Sequence, residues 1–371
     1  MKTVYVLGAG FSCRAGAPMQ ANLIKEAFNL YNRKPDLFNE DKFKCFNDFL
    51  SNQLNISEES FSDIELEDIF TPLDRCLGDR TQYRGISLEK IMETRESVFY
   101  VIGKTIGRLL DEDNKKSGSY IDEFAKYITN ISSARGGRNY RGKDPVSVIS
   151  TNWDTLLDYA IKNTIEERED YRAVVDYCCY ISSLDKDDVT IKPGLEILGE
   201  GGFNVKLLKL HGSLNWLQCP RCSRMYADFS NKIGRGKDIE TESCRHCDKN
   251  FPEEKNNHIL AFNLIMPTFL KDLSNPQYKI IWQNAGIEIS EADKIVFIGY
   301  SLPSADFDMR QLLSRMVRKS AEIQVVDRCL HESGRSEVER HWKRFFGKRK
   351  ISFEFEGAEN YVANLVDDSK G

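Results

Sequence analysis

The first apolar run in the chain, Val4-Tyr5-Val6-Leu7, has no polar alternation, so residues 2–7 are expected to form a short strand buried on both faces. Gly8-Ala9-Gly10 follows at once and leads into helix-compatible spacing over 20–31, an opening of strand, glycine turn and helix. From residue 41 to about 131 the apolar positions fall three and four apart. Within that stretch Ser62-Asp63-Ile64-Glu65 reads as a capping box ahead of Leu66, Ile69 and Phe70, and helices are expected over 88–110 and 120–131. Further buried-strand candidates, short and mostly apolar, return at 146–150, 205–210, 294–298 and 322–326, separated by helix-sized segments. That alternation predicts an α/β fold, a parallel sheet with crossover helices, interrupted by a helical insertion.

Composition narrows the class. A chain of 371 residues is long enough for two or three domains at about 150 residues each. Lys and Arg total 52 against 57 Asp and Glu, a net charge of −5, which lacks the basic footprint of a nucleic-acid binder. No stretch approaches the roughly 18 apolar residues of a membrane span, and Val4 to Leu7 is too short for a signal-peptide core, so a soluble cytoplasmic protein is expected. Residues 133–143 are basic and glycine-containing and read as a solvated loop, with phosphate or partner contact as the alternative; residues 340–350, with Trp342, Phe345 and Phe346, read as an amphipathic helix.

Four motifs carry candidate chemistry. Glycines at a strand's C-terminal end let a ligand approach the backbone, and Gly8-Ala9-Gly10-Phe11-Ser12 has that form. The next glycine, Gly16, comes six residues after Gly10, so the Gly-x-Gly-x-x-Gly fingerprint is not matched, and a tight turn without ligand is the competing reading. Thr151-Asn152-Trp153-Asp154 follows the expected strand 146–150, where an open α/β sheet binds nucleotides; helix capping would explain the same residues. His211-Gly212 follows the strand 205–210, where His211 could act as a general base near neutral pH or be a hydrogen-bonded core residue.

The fourth motif is the most specific. Cys219-Pro220-Arg221-Cys222 and Cys244-Arg245-His246-Cys247 are two C-x2-C knuckles separated by residues 223–243, the spacing of a closed four-cysteine structural zinc site with no position left for catalytic water. His246, between two ligands, is not expected to be one itself. Cys13, Cys45, Cys76, Cys178, Cys179 and Cys329 read as small reduced side chains, since disulfide frameworks belong to short secreted chains. The expected organisation is a Rossmann-like domain over 1–40, 145–218 and 255–371, a helical insertion over 41–144 and a small zinc ribbon over 219–254.

In order, these motifs resemble the sirtuin family: a Gly-Ala-Gly-x-Ser opening, Asn152-x-Asp154 at a strand end, His211-Gly212, and a four-cysteine ribbon beginning at Cys219. Gly299-Tyr300-Ser301 is similar to the family's Gly-Thr-Ser turn, and Val325-Val326-Asp327 stands where sirtuins carry Asn on the adenosine side. The resemblance implies NAD as substrate. Gly8, Ala9, Gly10 and Ser12 would hold its phosphates and ribose with Gly299 and Ser301, and Asp327 the adenosine ribose. Asn152 beside Thr151 would orient the nicotinamide ribose or a water, Asp154 would contact the carboxamide, and His211 would be the base.

The departures bear on the activity expected. Pro18 is followed by Met19-Gln20-Ala21 instead of Asp-Phe-Arg, Thr151 replaces the Gln before the catalytic Asn, and the Phe-Gly-Glu acyl-lysine loop has no counterpart between Phe251 and Leu273. In these respects the chain looks more like the sirtuin-like NAD hydrolases of bacterial antiphage defence, some of which assemble into oligomers and work with a HerA-type ATPase. The leading expectation is therefore hydrolysis of NAD to nicotinamide and ADP-ribose. Protein deacylation or ADP-ribosyl transfer, and a non-catalytic NAD or ADP-ribose sensor, are the alternatives.

Overall fold

The computed structural model describes residues 1–57, 60–61, 64–113, 119–137, 143–168, 172–230 and 242–368. Its strands are β1 (Thr3–Leu7), β2 (Val146–Ser150), β3 (Ala173–Asp176), β4 (Ile181–Ser183), β5 (Phe203–Lys209), β6 (Gly212–Gln218), β7 (Met225–Ala227), β8 (Ala261–Leu264), β9 (Lys294–Ile298), β10 (Glu322–Val326) and β11 (Ile351–Glu354). Seven of them form a parallel sheet in the order β11-β10-β9-β1-β2-β5-β3. The expected parallel sheet with crossover helices is thus present, and its central strands, mostly apolar with small serines in β2, are buried on both faces.

Topology and register position the site. From β1 the chain passes to β2, then to the edge strand β3, and fills the gap between them with β5 before crossing to the other side of β1 for β9, β10 and β11. Leu7 pairs with both Ser150 and Ile298, Ile298 with Val326, and Ser150 with Lys209, so five strands end level. All five following loops therefore open on one rim, where the order reverses and where open α/β sheets bind ligands.

The sheet core includes helix Ser119–Ser132, whose Phe124 meets Tyr5 edge-on at 5.1 Å, together with helices Leu156–Glu166, Pro276–Glu291 and Phe307–Met316. Helix Glu332–Phe346 packs its aromatics inward as the spacing predicts, with Trp342 buried 4.6 Å from Phe297. A second core joins helices Leu23–Arg33, Glu40–Asp48, Leu66–Asp79 and Leu88–Asp113 around Phe28, Phe43, Phe46 and Phe61. It reaches the rim through Leu214, Met266 and the half-buried Trp153. Ser62 and Asp63 of the expected capping box lie outside the described residues; helix Leu66–Asp79 begins after Glu65, which makes no side-chain cap. Residues 138–142 of the basic loop also lie outside them.

The sequence pattern did not announce the second sheet, β4-β7-β6-β8, in which β6 runs antiparallel to both β7 and β8. It carries the small third core of Leu217, Tyr226, Leu260 and three cysteines. Among the described residues no helix is long and apolar enough to cross a membrane.

Candidate functional site

Two glycine turns interlock at the head of β1 and β9. Gly8 N–H donates to Ile298 O and Gly10 N–H to Gly299 O, at 3.1 and 3.0 Å. Gly299 has a left-handed φ of 61°, and a Cβ on it would stand 2.3 Å from the Phe11 nitrogen; a Cβ on Gly8 would stand 2.6 Å from Gly299 O. These glycines are thus required for backbone to pack on backbone, and the Gly10 N–H is committed within the protein. The bare-turn and ligand-turn readings of the motif merge: the turns are the fixed floor of a cavity.

That cavity, about 600 Å³, is lined by Gly8, Ala9, Gly10, Thr151, Asn152, Asp154, His211, Gly299, Ser301 and Asp327. Every residue proposed from the sequence for catalysis or nucleotide contact is therefore at one site except Ser12. Ser12 is buried beneath the rim, where its Oγ accepts from Asn152 Nδ2 at 3.2 Å; the same Nδ2 donates to Gly8 O at 2.9 Å. The asparagine is thereby locked to the glycine turn.

Asp154, one residue before the N-cap of helix Leu156–Glu166, closes the turn into it, its Oδ1 accepting from Leu156 N–H at 3.1 Å. Burial pushes its carboxyl up, against the opposing pull of Lys209 and the Ser12 hydroxyl. Lys209, at the end of β5 and 1% exposed, supports the rim from below: its ammonium donates to the Asp154 carbonyl at 2.5 Å, Asp158 Oδ2 at 2.9 Å and Ser213 Oγ at 2.8 Å. His211 follows in the turn between β5 and β6, made possible by Gly212 at φ 79°, where a Cβ would strike Tyr278 Oη at 2.4 Å.

Sequence reasoning missed several groups at the cavity. Asp306 Oδ1 lies 3.4 Å from His211 Nε2 and 3.1 Å from Lys271 Nζ, while Tyr300 Oη donates to Asp306 Oδ2 at 2.8 Å. The His211 contact falls short of a formed hydrogen bond. Burial would raise the Asp306 carboxyl, but His211, Lys271 and Tyr300 outweigh it and hold it well below the usual carboxylate range. Glu67, from the helical insertion, accepts from Gln20 Nε2 at 2.6 Å and is pushed up by burial. It had a signal, being a Glu among Leu66, Ile69 and Phe70 on a buried helix face. Asp306 stands at the N-cap position of helix Phe307–Met316, and Lys271 lies in a segment without periodicity.

The four cysteines form a separate centre. Their sulfurs all lie within 4.8 Å of one another, with Cys219 to Cys247 at 3.8 Å and Cys222 to Cys244 at 3.7 Å. A tetrahedral zinc with Zn–S near 2.3 Å spaces its sulfurs about 3.8 Å apart, so the donor set fits a closed structural zinc site. His246 is outside the cluster and faces Asn250 on its own helix. The other six cysteines are unpaired thiols, as expected.

No protein-family model matches the chain, and no curated protein matches it. Among solved structures it is similar to several sirtuins. One comes from work on the mechanism and regulation of Sir2 enzymes (12% identity, TM-score 0.42, 100% of this chain and 92% of that one). Another is Sir2Tm bound to a propionylated peptide (12% identity, TM-score 0.40, 100% and 93%). A third is Sir2 with a p53 peptide and NAD+ (12% identity, TM-score 0.40, 100% and 93%).

Proposed function

We propose that this chain hydrolyses NAD at its nicotinamide–ribose bond, giving nicotinamide and ADP-ribose. The observation that carries the reading is the convergence of Asn152, Asp154 and His211 with both glycine turns and Asp327 around one cavity on the carboxyl rim of the sheet. In this reading the pyrophosphate lies along the turns at Gly8 to Gly10 and Gly299 to Ser301, and Asp327 accepts from the adenosine ribose. Asp154 meets the carboxamide and Asn152 holds the nicotinamide ribose or the attacking water.

The C1′–N bond breaks with its electron pair leaving on nicotinamide, the ribose takes up oxocarbenium character, and water adds at C1′ while His211 takes its proton and passes it to solvent. The balance is NAD+ plus water to nicotinamide, ADP-ribose and a proton. Such chemistry asks the protein chiefly for positioning, which the locked Asn152 amide supplies. General-base help is worth about 10² to 10⁴-fold, so His211→Ala is expected to raise the barrier by about 3 to 5 kcal/mol.

Incubation with NAD and an acetyl-lysine peptide, followed by mass spectrometry, tests the reaction type. Free ADP-ribose with an intact peptide is the expected result; O-acetyl-ADP-ribose would make the chain a deacylase, and unchanged NAD would favour a sensor. A defence role, homo-oligomerisation and a HerA-type ATPase partner rest on the sequence resemblance alone. Light scattering alone and with such an ATPase tests the latter two.

A further inference from the structure

His211 Nε2 is buried and makes no hydrogen bond, and the acceptor that faces it is the carboxylate of Asp306, 3.4 Å away and 5% exposed. Burying a donor or acceptor without a partner is costly, so closing the contact between these two groups would recover that cost. The carboxylate is fixed from several directions. Tyr300, next to Gly299, donates to its Oδ2, Lys271 stands 3.1 Å from its Oδ1, and its backbone is tied to Pro303 O and to Arg310 N–H at the start of helix Phe307–Met316. The turn that interlocks with Gly8 and Gly10 thus also delivers Asp306 to the histidine.

A neutral imidazole carries one N–H, and the partner of one nitrogen decides what the other can do. We propose that Asp306 is the positioning residue of His211: its carboxylate receives the Nε2–H, so that Nδ1 is the nitrogen that takes the proton from the attacking water. As the new C1′–O bond forms and the C1′–N bond breaks, that proton moves to Nδ1, and the imidazolium is stabilised by the carboxylate on its far side before the proton returns to solvent. Lys271 and Tyr300 keep the carboxyl ionised for this role. Apo geometry at 3.4 Å is compatible with it, since catalytic hydrogen bonds are commonly long before substrate is bound. The catalytic consequence rests on the NAD-cleaving reading; the tautomer assignment does not.

Two measurements test the proposal. The first is nitrogen NMR of ¹⁵N-histidine-labelled wild-type protein at about pH 8.5, above the ordinary imidazole range, with His211 assigned by loss of its signals in His211→Gln. A proton on Nε2 is expected; a proton on Nδ1 overturns the proposal whatever the protein's activity. The second is a kinetic cycle with Asp306→Asn, which preserves side-chain volume. Asp306→Asn is expected to lower kcat for nicotinamide release by about tenfold or more with KM changed by less than about threefold, and to cause no further loss in a His211→Ala background. An equal loss in both backgrounds would show that Asp306 acts independently of His211. A wild-type protein that releases no nicotinamide would defeat the NAD-cleaving reading, and the NMR result would still decide the pairing.

Discussion

Gly299→Ala isolates the interlock on which the cavity floor depends. The added methyl group would stand 2.3 Å from the Phe11 nitrogen and 2.4 Å from the Gly10 carbonyl carbon. Both are backbone atoms, so no side chain can swing aside. Three contributions add: about 1 kcal/mol for an L-residue in left-handed backbone, about 1 to 3 for overpacking, and about 1 for the hydrogen bond from Gly10 to Gly299 as the turns separate. Reduced chain entropy in the unfolded state returns about 0.5, leaving about 2.5 to 4.5 kcal/mol of destabilisation. Gly85→Ala is the control, because Gly85 has φ 84° with no heavy atom within 4 Å of its added Cβ, so backbone strain acts alone at about 1 kcal/mol or less. Urea unfolding of both variants reads the difference directly. If Gly299→Ala costs no more than Gly85→Ala, the turns are not held against each other and the floor is not rigid.

Three further outcomes follow from the structure. Glu288 is buried between Lys2 and Lys206, at 2.8 and 2.6 Å; burial pushes its carboxyl up, but the two ammonium groups outweigh it and depress it. A depressed carboxyl contributes stability that is full above its unfolded value of about 4.3 and lost as pH falls through the lower folded value, so urea midpoints should fall more steeply below about pH 4 in wild type than in Glu288→Gln. Parallel profiles would contradict this. Lys209→Met strands the buried Asp158 and is expected to destabilise by about 3 to 5 kcal/mol, with part recovered in Lys209→Met/Asp158→Asn because Tyr177 Oη still has its partner. Thermal melts of the single and double variants check that recovery. Chelation is expected to release one zinc per chain, melt the sheet around β6 and β7 and lower the melting temperature, whereas loss of zinc with an unchanged melt would refute a structural role.

The central strands were legible because a strand buried on both faces leaves a short, mostly apolar run: 146–150, 294–298 and 322–326 are placed as the pattern predicts. Strands β3, β4 and β7 are only three or four residues long, too short for a period to register, and β6 begins at Gly212, directly after the expected strand 205–210, in a segment read for its His211-Gly212 chemistry alone. Site residues that follow strand ends were readable from position alone, since parallel register brings all such ends to one rim. Glu67, Lys271 and Asp306 come from a helix, an irregular segment and a cap, and only tertiary packing carries them to the same cavity. Periodicity likewise cannot say which core a helix joins: Ser119–Ser132 packs on the sheet through Phe124, and Leu23–Arg33 packs with the other helices through Phe28.

The most direct test of the account is nicotinamide release from NAD by the purified protein, with no peptide added, beside Asn152→Ala whose fold is checked by circular dichroism. Multiple turnovers by the wild-type protein are expected, with nicotinamide and ADP-ribose formed in equal amounts, and a loss of at least about 10²-fold in the variant. Equal rates in the two folded proteins would contradict it, because the cleavage would then not depend on the asparagine that the glycine turn and Ser12 hold at the cavity.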